Sequence, residues 1–204
     1  MRTRRTRLWV GAVGWLAVLG LGGAGWLRSR GPREPSIPIF APVADFELTD
    51  QDGAPFGTAS LRGKVWIVGF AFTECTTVCP MLTSQMANLE RRLARHGDDV
   101  HLVTITVDPE NDTPARLRAY AERHHADLGR WSFLTGAPAQ VRDTITRAFL
   151  VHVGPRQAVQ GGVDILHTAR LSLVDREGRL RGTYATDADG LTSLERDVGA
   201  LVAR

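Results

Sequence analysis

Cysteine is scarce in this chain, which has 204 residues but only two cysteines, Cys75 and Cys79. Any chemistry that needs a thiolate is therefore confined to the one segment that contains both. The sequence also lacks internal repeats, and its charged fraction of 23% and apolar fraction of 43% are typical of a globular protein rather than a disordered one. A chain of this length is long enough for one domain with a hydrophobic core.

Acidic residues are absent from residues 1 to 30, which contain six arginines. Of the 25 basic residues in the chain, 19 therefore lie beyond this segment, together with all 22 acidic residues. A nucleic-acid-binding surface would need a basic face of its own, so this composition argues against a nucleic-acid partner. The positive sign of the net charge of +3 is therefore due to the N-terminal segment.

Charge and proline also divide the chain into segments. Residues 8 to 27 carry no charge, and about 20 apolar residues are what a helix needs to cross a bilayer. We predict a cytoplasmic basic tail at 1–7, and a transmembrane anchor or uncleaved signal at 8–27, with a cleaved signal peptide as the alternative. A proline-rich linker at 28–39 precedes a folded domain at 40–204. The predicted location is the inner (cytoplasmic) membrane, with the domain on the periplasmic or other extracytoplasmic side.

Strand-like and helix-like patterns alternate beyond residue 40. Short β-branched runs predict strands and longer amphipathic segments predict helices, with Asp112 and Thr113 expected to start one of them. The order predicts an α/β fold with a thioredoxin-like mixed sheet flanked by helices, preceded by the N-terminal transmembrane helix. The predicted strands are a short one at Phe46 and Leu48, then 64–70, 100–107, 131–134, 167–174 and 179–184; the predicted helices are 80–95, 114–127, 138–149 and 191–202.

The two cysteines follow a predicted buried strand. Cys75 falls in the turn after this strand, and Cys79 falls at the start of the next helix, where the macrodipole is expected to stabilise a thiolate. Two thiolates at this spacing either bind a soft metal ion such as Cu(I) or interconvert between dithiol and disulfide. A neutral imidazole as a third ligand would also accommodate Cu(II).

Six histidines are candidates for that third ligand. His167 is favoured by its position just before a predicted strand, because binding loops are common at strand ends. Spacing alone does not choose among the six. The other five have ordinary structural explanations near helix ends or strands: His96, His101, His124, His125 and His152.

Three segments, taken in order, resemble the SCO/SenC family of membrane-anchored copper chaperones. They are residues 75–80 (CTTVCP), 107–114 (VDPENDTP) and 167–175 (HTARLSLVD), within a resemblance that covers about residues 40–202. The resemblance implies a thioredoxin-like fold and one copper, Cu(I) or Cu(II), bound by Cys75, Cys79 and His167. It also implies delivery of copper to the dinuclear copper centre of cytochrome c oxidase. The implied partners are the copper-bearing oxidase subunit and another copper chaperone or a thiol reductase.

Three carboxylates are candidates for contacts behind these ligands, since such contacts fix the orientation of a ligating imidazole. Asp108 either orients His167 or merely ends a strand. Many members of the family have Asp directly before the histidine where this chain has Leu166, so Asp164 is a candidate replacement. Glu74 is either a solvated turn residue or an outer oxygen near Cu(II).

A metallochaperone is the leading function, and a thiol-disulfide oxidoreductase is the alternative. The alternative would use Cys75 and Cys79 as a redox pair on cysteines of an oxidase subunit or apocytochrome. Three residues separate the cysteines here, whereas thioredoxin-type reductases generally have two. A peroxiredoxin is disfavoured because Phe72 stands where the peroxide pocket needs proline. Zinc is the metal alternative, because two cysteines and one histidine also suit a zinc site with an open position.

Overall fold

The structure is a computed structural model that describes residues 37–75, 78–159 and 162–203. The described residues form strands and helices that alternate along most of the chain. The strands are β1 (Ala41–Pro42), β2 (Glu47–Thr49), β3 (Pro55–Gly57), β4 (Val65–Ala71), β5 (Val100–Thr106), β6 (Trp131–Leu134), β7 (Arg156–Val159), β8 (Gly162–Ile165), β9 (Leu171–Val174) and β10 (Arg179–Tyr184). The α-helices are α1 (Val78–Leu93), α2 (Pro114–Arg123), α3 (Pro138–Phe149) and α4 (Ala188–Val202), with short 3-10 helices at Thr58–Leu61 and Ala94–Asp99.

Six of these strands form the central sheet, in the order β1-β10-β9-β4-β5-β6. Strands β4, β5 and β6 run parallel, whereas β9 is antiparallel to β4 and β10 is antiparallel to both β9 and β1. The parallel strands are linked by helices, as crossover connections require, and the antiparallel strands β9 and β10 form a hairpin. This arrangement confirms the predicted α/β fold with a mixed sheet flanked by helices.

Both faces of the sheet are covered, so β4 and β5 are buried along their whole length. Alternate residues of β4 belong to two hydrophobic clusters: Trp66 faces one and Ile67 the other. Helix α3 covers the first face, where Phe149 packs edge-on against Trp66 with 5.9 Å between ring centroids. Helices α1, α2 and α4 cover the second face. Cys75 and Cys79 belong to the first cluster, so hydrophobic packing helps to fix the segment that carries them.

Two expectations from the sequence need correction, and one hairpin was not expected. Helix α2 ends at Arg123 rather than near residue 127, because His125 adopts a left-handed conformation with φ of 57° that turns the chain out of the helix. Strand β9 begins at Leu171, so the segment that starts at His167 is a loop rather than part of a strand. The hairpin formed by β7 and β8 is not predicted from the sequence, because both strands are mostly exposed and lack an alternating apolar pattern.

The predicted membrane anchor at residues 8–27 lies outside the described residues. Within the described ranges, no helix combines the length and hydrophobicity needed to cross a bilayer. The last residues of the predicted linker lie against the sheet. Ile37 is buried, and the guanidinium of Arg181 donates hydrogen bonds to the carbonyl oxygens of Ile37 and Pro38.

Candidate metal centre

The two cysteines lie at the C-terminal end of the buried strand β4. Cys75 is in the turn that follows this strand and Cys79 is in the first turn of α1. Both are thiols, with 6% and 0% of their surface exposed. The backbone N–H of Cys79 donates to Sγ of Cys75 over 3.4 Å, so the Cys75 sulfur lies over the N-terminal turn of the helix.

His167 approaches this pair from a distant part of the chain. Its Nε2 atom lies 3.9 Å from Sγ of Cys79. Its Nδ1 atom lies 2.6 Å from the carbonyl oxygen of Ile165. Because a carbonyl oxygen only accepts hydrogen bonds, Nδ1 carries the proton of the neutral ring and Nε2 presents its lone pair to the thiol. The ring of Phe72, which is buried, packs edge-on against the imidazole at 6.2 Å and limits its rotation.

The hairpin of β7 and β8 brings His167 to the cysteines. Its second strand ends at Ile165, two residues before the histidine. Val163 of that strand forms an isolated parallel β-bridge with Cys75. The cysteine turn and the histidine loop are therefore joined through the backbone, although 88 residues separate Cys79 from His167.

Burial controls the electrostatics of the Cys79 thiol. Loss of solvation, followed by the hydrogen bond with Cys75, raises the pKa of Cys79 above its usual range. This direction is opposite to the expectation that the helix N-terminus yields a stable thiolate, because the cost of burying a charge outweighs the helix-end effect. A metal ion that binds Cys79 must therefore displace its proton, which makes binding depend on pH.

The candidate carboxylates Asp108 and Glu74 contact arginines instead of His167. Asp108 is 4% exposed and accepts hydrogen bonds from Arg156 at 3.0 Å and from the Asn111 side chain at 2.9 Å. Glu74 pairs with Arg156 at 2.5 Å and with Arg116 at 2.8 Å. The hydrogen bond from Arg116, together with the charge of both arginines, lowers the pKa of Glu74.

Asp164, the third candidate carboxylate, lies on β8 opposite Gln157 of β7 and is exposed to solvent. It is two residues from Leu166, which is also exposed, at 70%. An exposed carboxylate is well solvated and holds no fixed position toward a neighbouring ring. Its placement therefore gives no sign of the contact with His167 that the sequence suggested.

The donor set fits a soft metal ion, although no complete cluster is assembled. Within residues 37–75, 78–159 and 162–203, no three thiol, imidazole or carboxylate groups are already arranged around one point as a metal site. When a histidine nitrogen and a cysteine sulfur bind one ion at about 2.0 and 2.3 Å, the two ligand atoms lie about 3.5 to 3.7 Å apart. The separation of 3.9 Å between Cys79 and His167 is close to this value.

The SCO1/SenC family model matches residues 40–201. This chain belongs to the SCO1/SenC family. A relative from the same family, the SCO1 protein homolog of Bacillus subtilis, is 30% identical over 160 residues, which cover 78% of this chain and 81% of the relative.

Solved SCO structures share the fold. The structure of Bradyrhizobium japonicum ScoI with copper bound aligns with a TM-score of 0.68 and 29% identity, covering 79% of this chain and 99% of that one. The structure of BsSco, a member of the Sco family of cytochrome c oxidase assembly proteins in which a disulfide switch was identified, aligns with a TM-score of 0.69 and 27% identity, covering 81% and 96%. Relatives of this chain therefore include proteins that bind copper.

The remaining histidines have other environments. His101 is buried in β5, where it contacts Ser132 at 3.0 Å and stacks on Phe56, and burial lowers its pKa to about 4. His124 packs against Tyr120 at the end of α2 with the two rings tilted, and His125 makes the left-handed turn that follows. His167, by contrast, lies within hydrogen-bonding distance of Cys79.

Asp112 is a residue of the site that sequence reasoning assigned differently. Thr113 caps α2 as expected, but the carboxylate of Asp112 is buried and points to the cysteine turn. It accepts hydrogen bonds from the backbone N–H of Thr73 at 3.1 Å, from the Thr73 hydroxyl at 2.5 Å and from the Thr106 hydroxyl at 2.5 Å. Asp112 therefore ties the start of the cysteine turn to the end of β5.

Arg156 is a second residue that sequence reasoning missed. The Gly-Gly dipeptide at 161 and 162, between two short runs that contain valine, is a hairpin signal that would have directed attention to this segment. The ion pairs of Arg156 could not have been found from the sequence, because Glu74 and Asp108 lie 82 and 48 residues away.

Proposed function

We propose that this chain is a membrane-anchored copper chaperone that binds one copper ion through Cys75, Cys79 and His167. In this proposal, the protein delivers the ion to the dinuclear copper centre of cytochrome c oxidase, on the copper-bearing subunit. The observation that carries the proposal is the approach of His167 Nε2 to Cys79 Sγ at 3.9 Å, with the other ring nitrogen already hydrogen-bonded to Ile165. A fixed imidazole that presents a lone pair to a thiol has the geometry of a ligand pair.

The ligand set supports copper as the cargo. Two thiolates suit Cu(I), and one imidazole in addition allows Cu(II) to bind at the same place. Capture of the ion releases the protons of the thiols, including the proton of Cys79, whose pKa is raised by burial. In this proposal, transfer proceeds by ligand exchange, in which a recipient replaces these ligands with its own one at a time.

Exposed apolar side chains next to the ligands support transfer by direct contact. Met81, two residues after Cys79, is 55% exposed, and Leu166, next to His167, is 70% exposed. Large exposed apolar side chains close to a functional group are typical of surfaces that bind a partner protein. Delivery from this surface keeps the copper ion bound to protein ligands throughout.

The N-terminal segment belongs to the same proposal. A basic tail at 1–7, an anchor at 8–27 and a linker at 28–39 would hold the domain at the periplasmic face of the inner membrane. Cytochrome c oxidase is itself a membrane protein, so an anchored chaperone and its recipient would both diffuse within the same membrane. Another copper chaperone or a thiol reductase would supply copper or electrons to the two cysteines.

Thiol-disulfide exchange is the second candidate function. The hydrogen bond from Cys79 N–H to Cys75 Sγ favours it, because it brings the two cysteines into one turn. The raised pKa of Cys79 opposes it, because the thiolate is the nucleophile in exchange. An oxidoreductase would keep its activity in His167→Ala, whereas a copper site that uses the imidazole would be damaged by the same change.

The decisive experiment measures copper binding by the purified full chain. We expect one copper per wild-type chain, loss of that copper in the Cys75→Ser/Cys79→Ser double variant, and loss of nitrogen coupling in the Cu(II) resonance spectrum of His167→Ala. His152→Ala is the matched control, because this exposed histidine should leave the spectrum unchanged. Unchanged copper stoichiometry in the double serine variant would overturn the proposal, and preferential retention of zinc over copper would redirect it.

A further inference from the structure

Arg156 connects the hairpin of β7 and β8 to both loops beside the cysteines. Its Nε atom donates to Asp108 Oδ2 at 3.0 Å, and a terminal guanidinium nitrogen donates to Glu74 Oε2 at 2.5 Å. Glu74 directly precedes Cys75, and Asp108 lies two residues beyond the end of β5. The side chain of Arg156 thus links its own hairpin to two other segments of the chain.

The Asp108 end of this connection is firmly held. The Asp108 carboxylate also accepts a hydrogen bond from Asn111 at 2.9 Å, and its backbone N–H donates to the Thr106 hydroxyl at 3.0 Å. Thr106 in turn donates to the buried carboxylate of Asp112, which holds the cysteine turn through Thr73. Arg156 is therefore bound to a polar network that already positions the cysteine side of the site.

The other end of the connection leads to the imidazole. Arg156 pairs directly with Ile165 in the register of the hairpin. The carbonyl oxygen of that same Ile165 accepts the hydrogen bond from His167 Nδ1. The position of Arg156 therefore sets the position of the backbone group that orients the histidine ring.

We propose that Arg156 is a positioning residue of the copper site, which holds the hairpin of β7 and β8 against the Cys75 turn so that His167 faces Cys79. The inference rests on the proposed copper function, which it deepens. The planar guanidinium suits this role because it can donate to two carboxylates in different directions, whereas a lysine ammonium lacks this fixed fork. Residues that orient metal ligands in this way commonly alter metal affinity by about 10- to 100-fold when removed.

The main test compares Arg156→Ala with Arg116→Ala in the full chain. Arg116 is the matched control because it also pairs with Glu74 and is similarly exposed, at 46% against 38%. It lies on α2, and within the described part of the chain it forms no ion pair or hydrogen bond with the hairpin of β7 and β8. We expect Arg156→Ala to weaken Cu(II) binding by about 10-fold or more and to reduce the nitrogen coupling from the imidazole. Arg116→Ala should retain both. Equal effects of the two changes on affinity and nitrogen coupling would overturn the inference.

A double-variant cycle shows whether Arg156 acts through His167. If it does, Arg156→Ala should weaken copper binding in the wild-type background but change it little in the His167→Ala background. An equal loss in both backgrounds would mean that Arg156 stabilises the site in some other way, and would contradict the inference. Arg156→Lys should give an intermediate loss, because it keeps the charge but only part of the hydrogen bonding.

Folding is checked by circular dichroism of each variant without metal. If Arg156→Ala fails to fold, the comparison is made with Arg156→Lys, and failure of both to fold would show that Arg156 is required for the fold instead of for orientation. The two proposals fail in different ways. If copper binding does not depend on the cysteines in the wild-type background, the proposed copper function is wrong. If binding depends on the cysteines but Arg156→Ala shows normal nitrogen coupling, only the proposed role of Arg156 is wrong.

Discussion

The two hairpins on either side of His167 are held by different forces. The hairpin of β9 and β10 belongs to the central sheet, and every residue of β9 is buried. The hairpin of β7 and β8 is a separate two-stranded sheet, and every residue of β7 is exposed. Two-stranded sheets have little stability of their own in water. His167 therefore follows a weakly supported element and precedes a strongly supported one.

The arginines of the two hairpins show the same contrast. Arg181 of β10 is 4% exposed and donates to Asp175, which is 2% exposed. Arg156 of β7 is 38% exposed at its side chain and pairs with Glu74 and Asp108. An ion pair near solvent can orient two segments while contributing little to the free energy of unfolding. Removal of one partner of a buried pair leaves an uncompensated buried charge and is strongly destabilising. The comparison indicates that the fold depends on β9 and β10, while the metal site depends on β7 and β8.

The largest expected effect is the loss of Asp175. Asp175→Ala leaves the buried guanidinium of Arg181 without its carboxylate partner, so the free energy of unfolding should fall by about 3–5 kcal/mol. Arg156→Ala, the change in the other hairpin, should lower it by less, about 1–2 kcal/mol, because Arg156 is partly solvated and the buried carboxylate of Asp108 keeps the hydrogen bond from Asn111. Urea unfolding of the metal-free chain measures both. Glu177→Ala, at an exposed turn position, is the control and should stay within about 0.5 kcal/mol. Similar losses for Asp175→Ala and Arg156→Ala would contradict the contrast.

A smaller effect is expected in the pH dependence of stability, where two buried aspartates should act in opposite directions. Burial opposes ionisation of Asp175, but hydrogen bonds from Arg179 and Arg181 outweigh it and lower its pKa from the ordinary value of 3.8. Its stabilising contribution is present above the unfolded pKa and is lost as the pH falls through the folded pKa. Burial raises the pKa of Asp112 above 3.8, and the hydrogen bonds from Thr106 and Thr73 only reduce this shift. Its contribution is greatest below the unfolded pKa and is lost as the pH rises through the folded pKa.

Unfolding curves at several pH values test these directions. As the pH falls from 7 toward about 4, wild type should gain stability relative to Asp112→Asn. Below about pH 4, wild type should lose stability relative to Asp175→Asn. Parallel curves for the three proteins over the whole range would show that neither carboxyl has a shifted pKa.

The smallest expected effect is at Asp164, on the exposed hairpin. Asp164→Ala should change copper affinity by about twofold or less and stability by less than about 0.5 kcal/mol, because its solvated carboxylate has no fixed position. Copper titration of the full chain against a competing chelator measures the first quantity. A loss of about 10-fold would show that Asp164 orients His167 after copper binds, as the sequence suggested.

Part of the site was predictable from local sequence. The apolar run before Cys75 predicted the buried strand β4, and Pro80 predicted the helix that follows, because proline is tolerated in the first turn. Cys75 was thus placed correctly after the strand, and Cys79 at the start of the helix. His167 was favoured only by its position near a strand and by a family resemblance, since periodicity carries no information about contacts across 88 residues.

The supporting residues were not predictable in the same way. Asp112 looked like part of a helix start, yet its carboxylate turns away from the helix to Thr73 and Thr106. Asp108 and Glu74 were candidates for contacts with the imidazole or a metal, and in the structure they pair with Arg156. Apart from the contact between Asp112 and Thr106, these contacts join segments that are distant in sequence, so their partners depend on the packing of strands and loops.

The sequence by itself determined the order of the helices and of most strands of the central sheet, the confinement of thiol chemistry to one segment and the family to which the chain belongs. These follow from hydrophobic periodicity, from proline and from the spacing of a few motifs, all of which are local properties. The tertiary structure alone decided which ring nitrogen of His167 faces Cys79, which carboxylates hold the surrounding loops and how burial shifts the Cys79 pKa. Those properties depend on distances and desolvation, which exist only after the chain has folded.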